Sequence, residues 1–226
     1  GKPFLDSAEE KAVLEVLRSG WLTHGPKNKE FEKIFADYLG VRYALTVNSC
    51  TSALQLALQT TGITGEVLVP SFTFVASANS IITAGATPVF IDIDYKTCNI
   101  DIDDARAKIN KKTQAIMVVH YAGQACQMDA VVELAKEFNL VVIEDSAEAI
   151  GAKFKDKLTG TFGIGCFSFF PTKNIATGEG GMLTTNNQEI YEKAKALSAH
   201  GIASSTFERE KQNRPWLRAA TYAGYN

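Results

Sequence analysis

Three short stretches carry residue types that can do chemistry. Asn48-Ser49-Cys50-Thr51-Ser52 lies between a strand-like run and a helical run. A helix starting there offers free backbone N–H groups and the positive end of its dipole, which together cradle an anion. The same hydroxyls also suit an ordinary N-cap. The stretch is neither a Walker loop nor a G-x-G-x-x-G turn. Ile143-Glu144-Asp145-Ser146-Ala147-Glu148 places acids at the end of an apolar run, with Glu148 three residues past Asp145. A carboxylate beside a core needs a cationic or hydrogen-bonding partner. It can cap a helix, or serve as counter-charge to a protonated ring nitrogen or a metal. Phe167-Ser168-Phe169-Phe170-Pro171-Thr172-Lys173 sets a lysine just past another apolar run, ahead of Gly178-Glu179-Gly180-Gly181. Apolar surroundings favour the neutral, nucleophilic amine that a Schiff-base lysine requires. A surface lysine at a turn would look the same.

The order of these features says more than any one of them. An anion cradle comes first, then aromatic residues at Phe72 and Phe74, an Asp at a strand end, and a Ser five residues before a Lys. Phosphate, aromatic ring, ring nitrogen and aldehyde are the four groups of pyridoxal 5′-phosphate (PLP). One residue type is available for each.

Strands and helices must bring these stretches together. Asp6 and Glu9 read as a capping box ahead of an apolar face at Val13, Leu14 and Leu17, ending at Gly20. Phe31, Ile34, Phe35, Tyr38 and Leu39 give a second helical face, closed by Gly40. Strands are then expected at 42–47, 66–69, 89–91, 115–119 and 140–143. Helices are expected at 51–59, 75–83, 102–109 and 130–138. The strand runs are almost continuously apolar, the mark of a parallel sheet covered on both faces. Short strands follow at 153–155, 166–170 and 181–184, then a helix from Gln188 to about Ser198. Ligands of an open α/β sheet sit beyond the C-terminal strand ends, where all three stretches fall.

Composition sets the bounds. The 226 residues, 46% hydrophobic and 21% charged, suffice for a full core. With 23 basic and 25 acidic residues the net charge is −2, which leaves no basic excess for a nucleic acid. The longest apolar run, Ala115 to Val119, is far short of a membrane span. Cys50, Cys98, Cys126 and Cys166 form no C-x-x-C pair, and no histidine stands at a metal-ligand spacing from them. They are expected to be free buried thiols, with no metal site. No charged-then-apolar leader opens the chain, so a cytoplasmic, reduced setting is expected. Its opening at Gly1 rather than Met points to a start further upstream.

The chain resembles the DegT/DnrJ/StrS family of sugar aminotransferases, of the aspartate-aminotransferase fold group. The resemblance rests on Gly20-Trp21-Leu22-Thr23-His24-Gly25-Pro26, Val69-Pro70-Ser71-Phe72-Thr73-Phe74-Val75-Ala76 and Gly85-Ala86-Thr87-Pro88-Val89-Phe90-Ile91-Asp92. It continues through His120-Tyr121-Ala122-Gly123-Gln124, Glu144-Asp145-Ser146-Ala147 and Ser168 to Asn174 with the Gly-Glu-Gly-Gly that follows. It covers almost the whole chain. It implies a PLP-dependent transferase fold (fold type I): an α/β large domain with a mostly parallel sheet covered by helices.

The resemblance also implies roles. Lys173 would hold PLP as a Schiff base and then carry the proton between C4′ and the substrate carbon. Asp145 would pair with the pyridinium nitrogen, Phe74 would stack on the ring, and Thr51, Ser52 and Ser168 would hold the phosphate. Glu148 stands where the family usually has a Gln or His contacting the ring hydroxyl. Gly224-Tyr225-Asn226 resembles the opening of a family stretch whose Asn reaches the phosphate of the neighbouring subunit, so a homodimer with shared sites is expected. The expected layout is an N-terminal segment over 1–30, a PLP-binding large domain over 31–200, and over 201–226 the start of the connection to a small C-terminal domain that is missing. Residues 1–226 alone are therefore expected not to be a competent aminotransferase.

The implied reaction moves an amino group from glutamate or glutamine to a nucleotide-linked keto sugar, in polysaccharide or related amino-sugar biosynthesis. His120 to Gln124 with Met128-Asp129 most resembles members that aminate C4 of UDP-linked 4-keto sugars. A sugar dehydratase of the same family is the first alternative, but those typically carry His where this chain has Lys173. A non-catalytic relative with a regulatory role is the second. A Rossmann dehydrogenase lacks its glycine fingerprint here.

Overall fold

The computed structural model describes residues 2–202, 204, 209, 212–213 and 216–225. Helices α1 (Ser7–Ser19) and α2 (Pro26–Leu39) precede β1 (Tyr43–Val47), α3 (Cys50–Thr60), β2 (Glu66–Pro70), α4 (Val75–Thr83) and β3 (Thr87–Ile91). Then come α5 (Ile102–Lys108), β4 (Thr113–Val119), α6 (Met128–Glu137) and β5 (Val141–Asp145). The order closes with a short hairpin β6 (Lys153–Phe154)/β7 (Lys157–Leu158), β8 (Ile164–Ser168), β9 (Gly181–Thr185) and α7 (Gln188–Leu197).

Seven strands form one sheet in the order β1-β9-β8-β5-β4-β2-β3. Neighbours from β8 to β3 pair parallel, while β9 is antiparallel to both β8 and β1. Strands β1, β2, β3, β4, β5 and β8 therefore all point the same way. Their C-terminal ends lie along one edge of the sheet, and the start of β9 joins them.

The two-residue period of the strands sorts their side chains between two helical layers. Val67, Val69, Ala115, Met117, Ile143, Cys166 and Leu183 pack on the side of α3, α4 and α7. On the other side Leu68, Ile116 and Val118 meet α5 and α6, while Ala44, Phe167 and Met182 meet α2. Each fully buried Leu, Ile or Phe side chain contributes roughly 1.5–3 kcal/mol by leaving water. Strand β3 is half covered, as an edge strand can be, and Pro88 removes a donor from it.

The first two helices depart from expectation. The capping box of α1 forms as expected, with Asp6 Oδ1 accepting the Ala8 N–H at 2.7 Å and Glu9 Oε2 accepting the Asp6 N–H at 2.7 Å. Its apolar face does not pack, however: Val13, Leu14 and Leu17 are all exposed, and α1 buries no residue. In α2 Phe31, Phe35, Ala36 and Leu39 turn inward, with Phe31 and Phe35 against Phe167 and Phe169, and Ile34 and Tyr38 stay outside. The strand expected at 153–155 stops at Phe154, and the one expected at 166–170 lies two residues earlier, at Ile164–Ser168. Lys155 turns the hairpin at φ 53°, and β8 ends at Ser168.

Candidate active site

The strand ends enclose a cavity of about 560 Å³. Its wall takes Ser49, Cys50 and Thr51 from the β1–α3 junction, Phe72 and Phe74 from the β2–α4 junction, and His120 and Tyr121 from the end of β4. Asp145 and Glu148 come from the end of β5, and Ser168 and Lys173 from the end of β8. Residues from Ser49 to Gly180 thus share one site, because parallel strands deliver their C-terminal ends to one edge.

Asp145 is the most constrained of these groups. Alternation along β5 turns it to one face and its neighbour Glu144 to the other. Its Oδ2 accepts the Ser77 hydroxyl at 2.8 Å, and its Oδ1 accepts the Ala147 N–H at 3.2 Å. Ser77 in turn meets Thr73 Oγ1 at 2.7 Å, and with the Ser77 proton on Asp145, Thr73 is the donor. The Cys50 thiol lies 3.8 Å from Asp145 Oδ1. Burial pushes the Asp145 carboxyl above the usual carboxylate range; the Ser77 hydroxyl and the Ala147 N–H pull against it. A buried carboxylate of this kind is stabilised by a cation brought into the cavity.

Glu144 faces away from the cavity and serves the fold. Fully buried, it accepts the N–H groups of Gly160, Phe162 and Gly163 at 2.7–2.8 Å and touches His120 Nε2 at 3.1 Å. His120 Nδ1 accepts the Cys126 N–H at 3.1 Å, which leaves Nε2 to carry the ring proton toward Glu144. Glu144 thus fastens the loop at 160–163 and orients His120 in the cavity wall.

The anion cradle is built as follows. Ser49 caps α3, its Oγ accepting the Ser52 N–H at 3.1 Å. The Ser52 hydroxyl donates to Asn48 Oδ1 at 2.5 Å and lies 3.0 Å from Ser49 Oγ. Ser49, Cys50 and Thr51 line the cavity, and Ser52 stands behind them. Strand β9 approaches this turn closely. A β-carbon at Gly181 would fall 2.3 Å from the Ser49 carbonyl carbon, so only glycine fits there. Ser168 Oγ accepts the Phe170 N–H at 3.3 Å from the neighbouring wall.

Phe74 lines the cavity and is 78% exposed as a residue, open to a flat group bound there. Beside it Phe72 packs on Tyr121, ring centroids 4.8 Å apart. Lys173 follows a turn in which its N–H bonds to the Phe170 carbonyl at 2.9 Å. Its Nζ donates to Glu148 Oε1 at 3.1 Å. The cavity therefore offers an amine, a buried carboxylate, an exposed aromatic face and hydroxyls at a helix N-terminus, a donor set that fits PLP.

Asn226 lies outside the described residues. Its sequence neighbour Tyr225 bonds through its hydroxyl to Gln59, near the C-terminal end of α3. That is about 14 Å along the helix from Cys50 and the cavity. Ser77, Thr73, His120 and Tyr121 are site residues that residue-type reasoning did not single out for a role; the Ser in the first turn of α4, three residues past Phe74, was the available signal. All four cysteines are free, but Cys98 is half-exposed rather than buried. Burial pushes the Cys126 thiol up to about 12. Among the described residues there is no His/Cys/Asp/Glu cluster able to hold a metal ion, and no helix is long and apolar enough to cross a membrane.

Known proteins resemble this chain over most of its length. GDP-perosamine synthase of Caulobacter vibrioides is 48% identical over 204 residues, covering 88% of this chain and 55% of that protein. Helicobacter pylori PseC, an aminotransferase involved in the biosynthesis of pseudoaminic acid, superposes with a TM-score of 0.91 at 36% identity, covering 100% of this chain and 60% of that one. The PLP form of the putative sugar aminotransferase Spr1654 from Streptococcus pneumoniae superposes with a TM-score of 0.88 at 32% identity, covering 100% and 61%. The chain thus spans less than two thirds of the length of these relatives. The DegT/DnrJ/EryC1/StrS aminotransferase family, whose aminotransferases depend on PLP, matches residues 3–226, and the chain belongs to it.

Proposed function

We propose that the whole protein is a PLP-dependent sugar aminotransferase that moves the amino group of glutamate or glutamine onto the keto group of a nucleotide-linked sugar. The observation that carries this reading is the meeting of Lys173 and buried Asp145 in one cavity at the strand ends. PLP supplies the chemistry when bound, as an electron sink that stabilises negative charge on the substrate carbon. In this reading Lys173 binds the cofactor covalently through Nζ and later carries a proton to or from the substrate carbon. Asp145 holds a proton on the ring nitrogen, and its fixed hydrogen bonds with Ser77 and Ala147 set its direction. Thr51 and Ser168 bind the phosphate from the wall, with Ser52 bracing the cap of α3 behind them. Phe74 covers one ring face and excludes water from it. Glu148 contacts the ring hydroxyl side. Residues 31–200 form the PLP-binding domain, and 201–226 begin the connection to a further domain.

The finer substrate is a 4-keto sugar, with a UDP-linked one suggested by His120-Tyr121-Ala122-Gly123-Gln124. The Caulobacter relative is named for a GDP-linked sugar, so the nucleotide is the point on which a test should discriminate. The whole protein, loaded with PLP and given glutamate or glutamine, would be assayed against UDP- and GDP-linked 3-keto and 4-keto sugars. The expected result is a new amino group on a 4-keto sugar, strongest in the UDP arm. No transfer to any nucleotide-linked sugar, with PLP bound, would contradict the function.

A further inference from the structure

The bond between Lys173 and Glu148 has a chemical consequence. Lys173 Nζ donates to Glu148 Oε1 at 3.1 Å, and Glu148 Oε2 accepts the Ala122 N–H at 3.2 Å. Ala122 adopts φ 51°, ψ 28° within the single 3-10 turn Tyr121–Gly123, and Gly123 follows at φ 80°. A residue with a β-carbon is strained in this left-handed conformation. The left-handed turn at Ala122 directs its N–H onto Glu148 Oε2, and Gly123 continues the turn without steric cost. Glu148, Thr172 and Lys173 also line a second, polar cavity of about 440 Å³, so the ion pair is part of the wall between the two. The Glu148 side chain is 49% exposed and that of Lys173 21%. Small solutes therefore reach the carboxylate more readily than the amine.

An ammonium nitrogen has no lone pair, so Lys173 must lose a proton before it can bond to an aldehyde carbon. The acceptor must lie within hydrogen-bond reach. We propose that Glu148 is the acid–base partner of Lys173 in capturing PLP, a role that rests on the reading of Lys173 given above. One ammonium proton passes to Glu148 Oε1 and frees the nitrogen lone pair. The nitrogen then bonds to the aldehyde carbon, and a second proton moves from nitrogen to the former carbonyl oxygen. Glu148 returns its proton to that oxygen, the C–O bond breaks and water leaves. The third proton stays on the nitrogen, now doubly bonded to carbon, and Glu148 is again a carboxylate. Atoms and charge balance, and no other reactant is needed.

The test follows PLP capture by the whole apoprotein in stopped-flow absorbance, with thermal unfolding as a check on the fold. Glu148→Gln keeps the size and the hydrogen-bond acceptor but cannot take the proton; Glu148→Ala leaves room for a small acid. Both are expected to capture PLP roughly a hundredfold more slowly than the wild type. Added formate should restore Glu148→Ala, and should not change Glu148→Gln or the wild type. A wild-type rate in Glu148→Gln would show that positioning suffices and would overturn the proposal. So would a slow Glu148→Ala that formate does not rescue. Peptide mapping of borohydride-reduced wild type is the separate control. PLP on a lysine other than Lys173 would overturn the assignment of Lys173, whatever the Glu148 variants do.

Discussion

The Ser77 hydroxyl donates to Asp145 Oδ2 at 2.8 Å, across 68 residues of sequence. This bond ties the first turn of α4 to the end of β5. It fixes the direction of a buried carboxylate and opposes the upward pull of burial on its proton affinity. The site is thus held ready for a cation at the cavity end of Asp145.

That readiness costs stability. A carboxyl raised by burial in the folded state binds its proton more tightly than in the unfolded chain, where its value is about 3.9. Stability is therefore lost as pH rises from the unfolded value through the folded one, and the whole penalty stands above it. Asp145→Asn carries no such penalty, and its carboxamide can still accept from Ala147 and donate to Ser77. The apoprotein of this variant should melt a few degrees higher than wild type near neutral pH. The gap should close toward about pH 4. A gap that widens on acidification would contradict the account. With PLP and substrates present, both Asp145→Asn and Asp145→Ala should lose most turnover.

Glu144 should prove structural. Glu144→Gln would turn an amide NH₂ either toward the Gly160 N–H or toward the N–H groups of Phe162 and Gly163. A loss of roughly 2–3 kcal/mol is expected from a urea titration with unchanged m. An unchanged midpoint would mean that those bonds are dispensable.

Gly181→Ala should act on the phosphate end of the site. Its β-carbon would meet Ser49 backbone atoms at 2.3–2.5 Å, which forces β9 and the cap of α3 apart. Affinity for PLP should fall at least about tenfold, along with a stability loss of roughly 1–3 kcal/mol. An equilibrium PLP titration that matches wild type would show that this approach does not shape the cradle.

The helical and strand segments were largely legible from residue patterns, because buried parallel strands are apolar runs and the helices between them are amphipathic. The edge on which Asp145, Lys173 and Thr51 meet followed from that alternation. The packing of α1 was not legible: the pattern at Val13, Leu14 and Leu17 gives a face without saying what covers it. Nor were the partners of Asp145 and Glu144. Ser77 and His120 are ordinary residues locally and gain their roles only from contacts made 68 and 24 positions away. Adjacent acids at 144 and 145 looked alike, and only the alternation of β5 separates a cavity carboxylate from a buried clasp.

A shared site between two subunits makes a distinct prediction. It rests on the sequence context Gly224-Tyr225-Asn226 and on the proposal that Asn226 serves a neighbouring site. Mixing whole-protein Lys173→Ala with Asn226→Ala, each inactive alone, should restore part of the activity through hybrid dimers. If each site used only its own chain, every hybrid would carry a defect in both sites and the mixture would stay inactive.

The central claim is that Lys173 is the residue that binds PLP covalently. Borohydride reduction of the PLP-loaded whole protein, followed by peptide mass mapping, tests it directly. The account predicts a stable pyridoxyl label on Lys173 and its disappearance in Lys173→Ala. A label on any other lysine of the wild-type protein would contradict it.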